Sequence, residues 1–212
     1  MYKKILFICF IFLLAGCTNI NDSQDYVSLV KNCFTSKNVV NDVSLGYKYY
    51  VPKGVEKIHD YDYNQVFLSN DSSIYLYVDI ISYYYKKDLQ YQKTGKEFYY
   101  ETFQNGNKKG YIKIEQEGDT YFVSIVYHYS KIEFYSDLNH LNKLITLSSV
   151  ILNSITYNDT VIEKVLEGNL GEFSEFTYEV KKPDGSSSNF SQYLEEYVQK
   201  EEQRKKEKLP DE

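Results

Sequence analysis

Few side chains in this sequence are equipped for chemistry, and they lie far apart. The cysteines are Cys9, Cys17 and Cys33, the histidines are His59, His128 and His140, and Arg204 is the only arginine. His59 stands in His59-Asp60-Tyr61-Asp62, a polar, loop-like stretch whose nitrogen and oxygens could reach a metal ion. A closed site takes about four ligands, and no second histidine- or cysteine-rich segment completes one. A solvated loop is therefore expected there. His128 alternates with Ser124 and Val126 and is expected within a sheet face, while His140 is expected on the outer side of a helix. No Gly-x-Ser-x-Gly elbow, Ser-x-x-Lys, His-Glu-x-x-His or glycine-rich phosphate loop occurs. Glu115 with Glu117, and Glu195 with Glu196, are neighbouring carboxylates without the apolar surroundings that raise a general acid's pKa. No catalytic residue, metal site or cofactor is expected, and the chain does not read as an enzyme. A hydrolase of wall or glycan substrates, built from dispersed residues, is the enzymatic alternative.

The cysteine with the clearest chemistry is Cys17. Lys3 and Lys4 precede an uninterrupted apolar run over residues 5–14, which closes in Leu14-Ala15-Gly16-Cys17. An apolar core of about ten residues fits a signal peptide and is too short for a bilayer, which takes roughly 20. Small residues at Ala15 and Gly16 let an extended backbone enter a peptidase groove. These four residues closely resemble the lipobox of bacterial lipoproteins. The resemblance implies a diacylglyceryl group on the Cys17 sulfur and cleavage between Gly16 and Cys17. Each buried methylene contributes about 0.8 kcal/mol, so one chain holds only transiently whereas two hold stably. The implied address is the outer face of the cell membrane, reached through palmitate-type lipid on Cys17.

Composition narrows the partners. Loss of the signal leaves 22 of the 24 basic side chains against 30 acidic ones, a net charge of −8. An acidic chain without a basic stripe is a poor partner for nucleic acid, and it gains nothing electrostatic from an anionic membrane. Ala15 is the only alanine, whereas Ile, Asn, Lys and Tyr abound, as AT-rich codons of a low-GC Gram-positive lineage would give. Many of the 24 tyrosines therefore stand where other genomes place Phe, Leu or Val. Between residues 18 and 203 no guanidinium fork is available to grip a carboxylate or phosphate in two-point fashion. With Cys9 removed and Cys17 lipidated, Cys33 has no internal disulfide partner. Its neighbours Val27, Val30 and Phe34 point to a buried, inert thiol.

Hydrophobic spacing organises the rest. Residues 1–16 form the signal peptide and 17–24 a polar lipidated tether, which reaches at most about 25 Å beyond the cysteine. Tyr26, Val27, Val30 and Phe34 have helical spacing, predicting a short helix over 25–34. From Ser44 to Ser130 the pattern is alternation, the mark of half-buried strands. Leu45, Tyr47, Tyr49 and Val51 share one face, as do Ile74, Leu76, Val78 and Ile80. Asn105-Gly106-Asn107 and Glu117-Gly118-Asp119 read as hairpin turns. Ser136 and Asp137 can cap a helix whose stripe is Leu138, Leu141, Leu144, Ile145, Ser148, Ser149 and Leu152. The expected fold is α+β over 25–158, an antiparallel sheet of about five to seven strands with a covering helix after it. A linker or extension follows at 159–188, with a short helix over 160–167. A charged amphipathic helix and tail close the chain at 189–212.

The order of helix, antiparallel meander and covering helix, with Gly46–Pro52 opening the meander and Leu152-Asn153-Ser154-Ile155 closing the helix, looks like the Mog1/PsbP-like α/β/α sandwich. The tryptophan often found just after the opening proline is absent, with Val55 near that place. That resemblance implies a noncatalytic binding or accessory domain, in a family whose members serve unrelated partners. The expected function is thus a membrane-anchored extracytoplasmic binding or accessory module with a protein or glycan partner in the envelope. The tyrosine runs 83–85 and 99–100 break alternation, so some rings must be exposed and could stack on sugars or anchor a peptide. The structural alternative is a helper subunit recruited through Phe190, Tyr193, Leu194, Tyr197 and Val198 on the C-terminal helix.

Overall fold

A computed structural model describes residues 25–61, 63–88 and 93–169. The signal peptide, Gly16, Cys17, the tether and the C-terminal stripe from Phe190 to Val198 lie outside the described residues. The chain is α+β, with a seven-stranded and a three-stranded antiparallel sheet and helices before and after the strands.

Asp25 caps the first helix, α1 (Tyr26–Asn32), by accepting from Ser28 N, and a 3-10 turn follows at Cys33–Thr35. The short strands β1 (Asp42–Ser44) and β2 (Tyr47–Tyr49) come next. The large sheet is built from β3 (Glu56–Tyr61), β4 (Asn64–Ser69), β5 (Ser72–Val78), β6 (Tyr99–Asn105), β7 (Lys108–Glu117), β8 (Thr120–Tyr127) and β9 (Ser130–Ser136). Its order is β3-β4-β5-β9-β8-β7-β6. Two meanders thus meet where β5 pairs with β9, and the connection between β5 and β6 must cross the width of β9, β8 and β7. Part of that connection is the helix α2 (Ile80–Tyr84), capped by Asp79. The covering helix α3 (Leu138–Ser154), the strand β10 (Thr156–Tyr157) and the helix α4 (Asp159–Lys164) complete the described chain, followed by a wider turn at Val165–Asn169.

Alternation decides which face of the sheet is buried. Ile74, Leu76, Val78, Ile112, Ile114, Val123, Ile125, Ile132 and Phe134 all point to one side and are fully buried. Against them pack Leu141, Leu144, Ile145 and Ile151 of α3, with Tyr26, Val27 and Val30 of α1 beside that helix. Each such side chain contributes about 1.5–3 kcal/mol by leaving water. The helix exists because its stripe is apolar and because Asp137 accepts from Asn139 N and His140 N at its first turn.

Several expectations are corrected. Leu138 heads the predicted stripe yet, as the first residue of α3, is 56% exposed. Ile80 is not a strand residue: the Asp79 carboxylate bonds Ser82 N and turns the chain into α2. β2 does not join the large sheet but pairs with β1 and β10, placing buried Tyr47 and Tyr49 over the end of the core. The strand β9 continues the alternation beyond Ser130. Burial also continues past residue 158, since Ile162 and Val165 are fully buried.

Candidate functional site

The sheet face turned away from α3 carries a different set of side chains. Register places Tyr75, Glu133, Ser124, Lys113 and Tyr100 in one row across five strands, with Tyr77, Lys131, Val126, Tyr111 and Thr102 in the next. Its charges are paired locally, Lys113 with Glu115 at 3.0 Å and Lys131 with Glu133 at 3.0 Å. The rings of Tyr100 and Tyr111 lie 5.9 Å apart, and those of Phe122 and Tyr135 lie 4.9 Å apart.

Where β8 turns into β9 lies a cleft of about 810 Å³, lined by Tyr100, Thr102, Tyr111 and Val126 of this face and reaching Lys31 of α1 on the other side of the sheet. Its walls come from four parts of the chain: Lys31 at the end of α1, residues 86–88 after α2, the β6–β7 hairpin, and the turn His128-Tyr129. Gly110 keeps one wall low, because a Cβ there would collide with the Val126 carbonyl and the Phe103 ring. Among the described residues four lysines line the cleft, Lys31, Lys86, Lys87 and Lys109, with one carboxylate, Asp88. Asp88 lies 3.5 Å from Lys109. Among the described residues Lys86 and Lys87 make no ion pair with a carboxylate, whereas the charge of Lys31 acts on Asp25. An acidic chain thus holds a cavity with a net charge of about +3, while Tyr100, Tyr111 and Tyr129 supply aromatic wall.

The backbone around this cleft is strained. Among the described residues four that are not glycine have positive φ, and three of them, Lys86 (51°), His128 (48°) and Tyr129 (66°), line the cleft. Tyr127 pairs with Ser130, so His128-Tyr129 forms a two-residue hairpin turn of the type that favours Asn-Gly. Such conformations persist only where the surroundings over-determine them. Here the Tyr157 hydroxyl donates to His128 O at 2.8 Å, His128 N donates to Lys109 O, and Asp79 N donates to Tyr129 O. The Tyr83 ring stacks on Tyr157 at 3.8 Å and meets Tyr129 edge-on. Lys86 Nζ sits 3.9 Å over the Tyr83 ring. Tyr83 in turn donates to Asp159 Oδ1, so α4 braces the cleft from behind. Burial, with Lys108 and Lys86 nearby, lowers the His128 pKa to about 4 and leaves the imidazole neutral near pH 7. Burial and Asp159 push the Tyr83 phenol up to about 12.

The residues singled out from sequence do not converge on this cleft, apart from His128 and Tyr100. His59 is not in a loop but in the edge strand β3, its ring stacked on Tyr61 at 5.7 Å. His128 is not in a sheet face but at a turn. His140 is exposed and bonds Asp137 Oδ2 at 2.8 Å. Burial raises the Cys33 thiol pKa, and its sulfur faces the carbonyls of Leu29 and Thr146. Of the tyrosine run, Tyr83 is packed while Tyr85 is 62% exposed. The only signal of the cleft lysines in the acidic sequence is the pair of doublets Lys86-Lys87 and Lys108-Lys109. Among the described residues no group of three His, Cys, Asp or Glu side chains could hold a metal ion. No protein-family model matches the chain, and neither a curated protein nor a solved structure matches it.

Proposed function

We propose that this chain is a lipid-anchored extracytoplasmic lipoprotein that works as a binding module, with the strained cleft as its ligand site. The observation that carries the binding role is the cleft itself: about 810 Å³, within the size range of small-molecule sites, walled by rings and an excess of cations and framed by three strained residues. The anchor reading rests on Leu14-Ala15-Gly16-Cys17 behind its apolar run. No helix among the described residues is long and apolar enough to cross a membrane. The order of α1, antiparallel strands and α3 supports likeness to the Mog1/PsbP-like sandwich in sequence of elements, though the described helices α1 and α3 share one sheet face.

Two experiments test this. Metabolic labelling with palmitate should mark the wild-type chain and not Cys17→Ala; label that persists contradicts the anchor. The mature protein, presented on glycan and peptide arrays, should retain a ligand that Thr102→Trp, which fills the cleft, no longer retains. A ligand held equally well by both places binding elsewhere. A second reading, a helper subunit of an envelope complex, is favoured by the apolar stripe Phe190, Tyr193, Leu194, Tyr197 and Val198. It predicts a co-purifying partner that is lost when residues 186–212 are removed.

A further inference from the structure

The charge of the cleft narrows its ligand, given the reading of that cleft as a binding site. We infer that it takes a phosphate ester, with the phosphoryl group between Lys86, Lys87 and Lys109 and the organic part against Tyr100 and Tyr111. The chain as a whole has a net charge of −6, so its general field repels anions; the lysines gathered here reverse that locally. They come from three separated segments, α1, the stretch after α2, and β7, and only the fold brings them together. Lysine ammonium groups are point charges with three donors each, which suits tetrahedral phosphoryl oxygens. No arginine occurs among the described residues to add a planar two-point grip, so the anion is held by these point charges alone. A free phosphate ion would leave most of the cavity empty. The remaining volume, the paired rings 5.9 Å apart, and the side chains of Thr102, Gln104 and Asn107 suit a sugar or polyol.

The phosphoryl group could belong to a soluble ester or to a lipid headgroup, and two arms separate these sources. In the first, the full mature chain in nonionic detergent is titrated calorimetrically with glucose 6-phosphate and with glucose. Saturable binding of the phosphate alone, weakening as salt rises, is the expected result. Lys86→Gln/Lys87→Gln should weaken it at least about tenfold, the loss of one charge-assisted contact or more. Lys109→Gln should act in the same direction, and Lys48→Gln/Lys53→Gln, outside the cleft, should leave it unchanged. In the second arm, vesicles of phosphatidylglycerol and phosphatidylcholine are sedimented with the Cys17→Ala chain. Sedimentation abolished by Lys86→Gln/Lys87→Gln, without glucose 6-phosphate binding, assigns the phosphate to a headgroup. Equal binding of glucose, equal weakening by both double variants, or no binding in either arm overturns the inference. An array ligand still blocked by Thr102→Trp in that case would leave the cleft a binding site of other chemistry.

Discussion

At the residue scale, single side chains set both the helix start and the pH response. Asp137 accepts two backbone N–H bonds at the start of α3 and holds the His140 ring at 2.8 Å. That ring contact, with the two backbone donors, keeps its carboxyl below the ordinary value of 3.8. A depressed carboxylate stabilises the fold fully above its unfolded pKa of 3.8, and the benefit declines as pH falls from there through the lower folded pKa. Asp137→Ala should therefore cost about 0.5–2 kcal/mol at pH 7, read as a lower urea midpoint, and less as the pH falls below 3.8. His128 acts in the same direction for a different reason. Its folded pKa is about 4 against an ordinary 6.5, so the unfolded chain takes up the proton first. Stability is fully present above pH 6.5 and falls as the pH drops toward 4. The ring is enclosed by Tyr83, Tyr129 and Tyr157, with Lys86 and Lys108 close by. His128→Asn keeps a residue tolerant of positive φ and removes the titration. Its urea midpoint should change less between pH 7 and pH 4.5 than that of the wild type. An unchanged slope would mean that the imidazole titrates normally.

At the element scale, the packing of α4 onto the opening of β2 is the most sensitive joint. Gly46 has φ +87°, and a Cβ there would lie 2.8 Å from Ile162 Cγ1. Its carbonyl also accepts Asn158 N at 2.8 Å. Ile162→Ala should cost about 2–5 kcal/mol as a cavity. Gly46→Ala should cost about 1–3 kcal/mol from overpacking and backbone strain. Because the two atoms collide, the double variant should be less destabilised than the sum, measured by a double-mutant cycle of denaturant midpoints. Additive losses would show that strain alone makes the glycine necessary. The sequence pattern exposed this architecture unevenly. α3 and the hairpins at Gly106 and Gly118 were legible because periodic apolar residues lay between recognisable turn residues. β9 was not, although Lys131, Ile132, Glu133 and Phe134 alternate, because His128-Tyr129 carries none of the Gly or Asn that marks a tight reversal. β3 escaped because an edge strand can expose lysine, aspartate and histidine and so reads as a loop. The cleft was hidden for a third reason: its lysines are 78 positions apart at the extremes, Lys31 to Lys109, and the packing of α1 on β6 with the β6–β7 pairing closes that distance, while the β5–β9 pairing brings in Lys86 and Lys87.

At the scale of the whole molecule, charge is segregated rather than absent. A chain of net charge −6 gathers four lysines in one concavity, while its net charge as a whole offers an anionic bilayer repulsion. If lipid on Cys17 is the anchor, attachment should then be independent of salt. Cys17→Ala should appear in the soluble fraction at low and at high ionic strength alike, whereas the wild type should stay with membranes after a high-salt wash and leave only with detergent. Hydrophobic insertion of acyl chains gives this pattern because it is not screened. A Cys17→Ala chain that sediments with membranes at low salt and is washed off at high salt would reveal a second, electrostatic attachment. The cleft lysines would be the first place to look for it, since Lys86→Gln/Lys87→Gln added to Cys17→Ala should then release the chain. Membrane retention that resists both salt and the lysine substitutions would instead require an apolar insertion other than acyl chains, and the lipid on Cys17 would cease to explain where the protein resides.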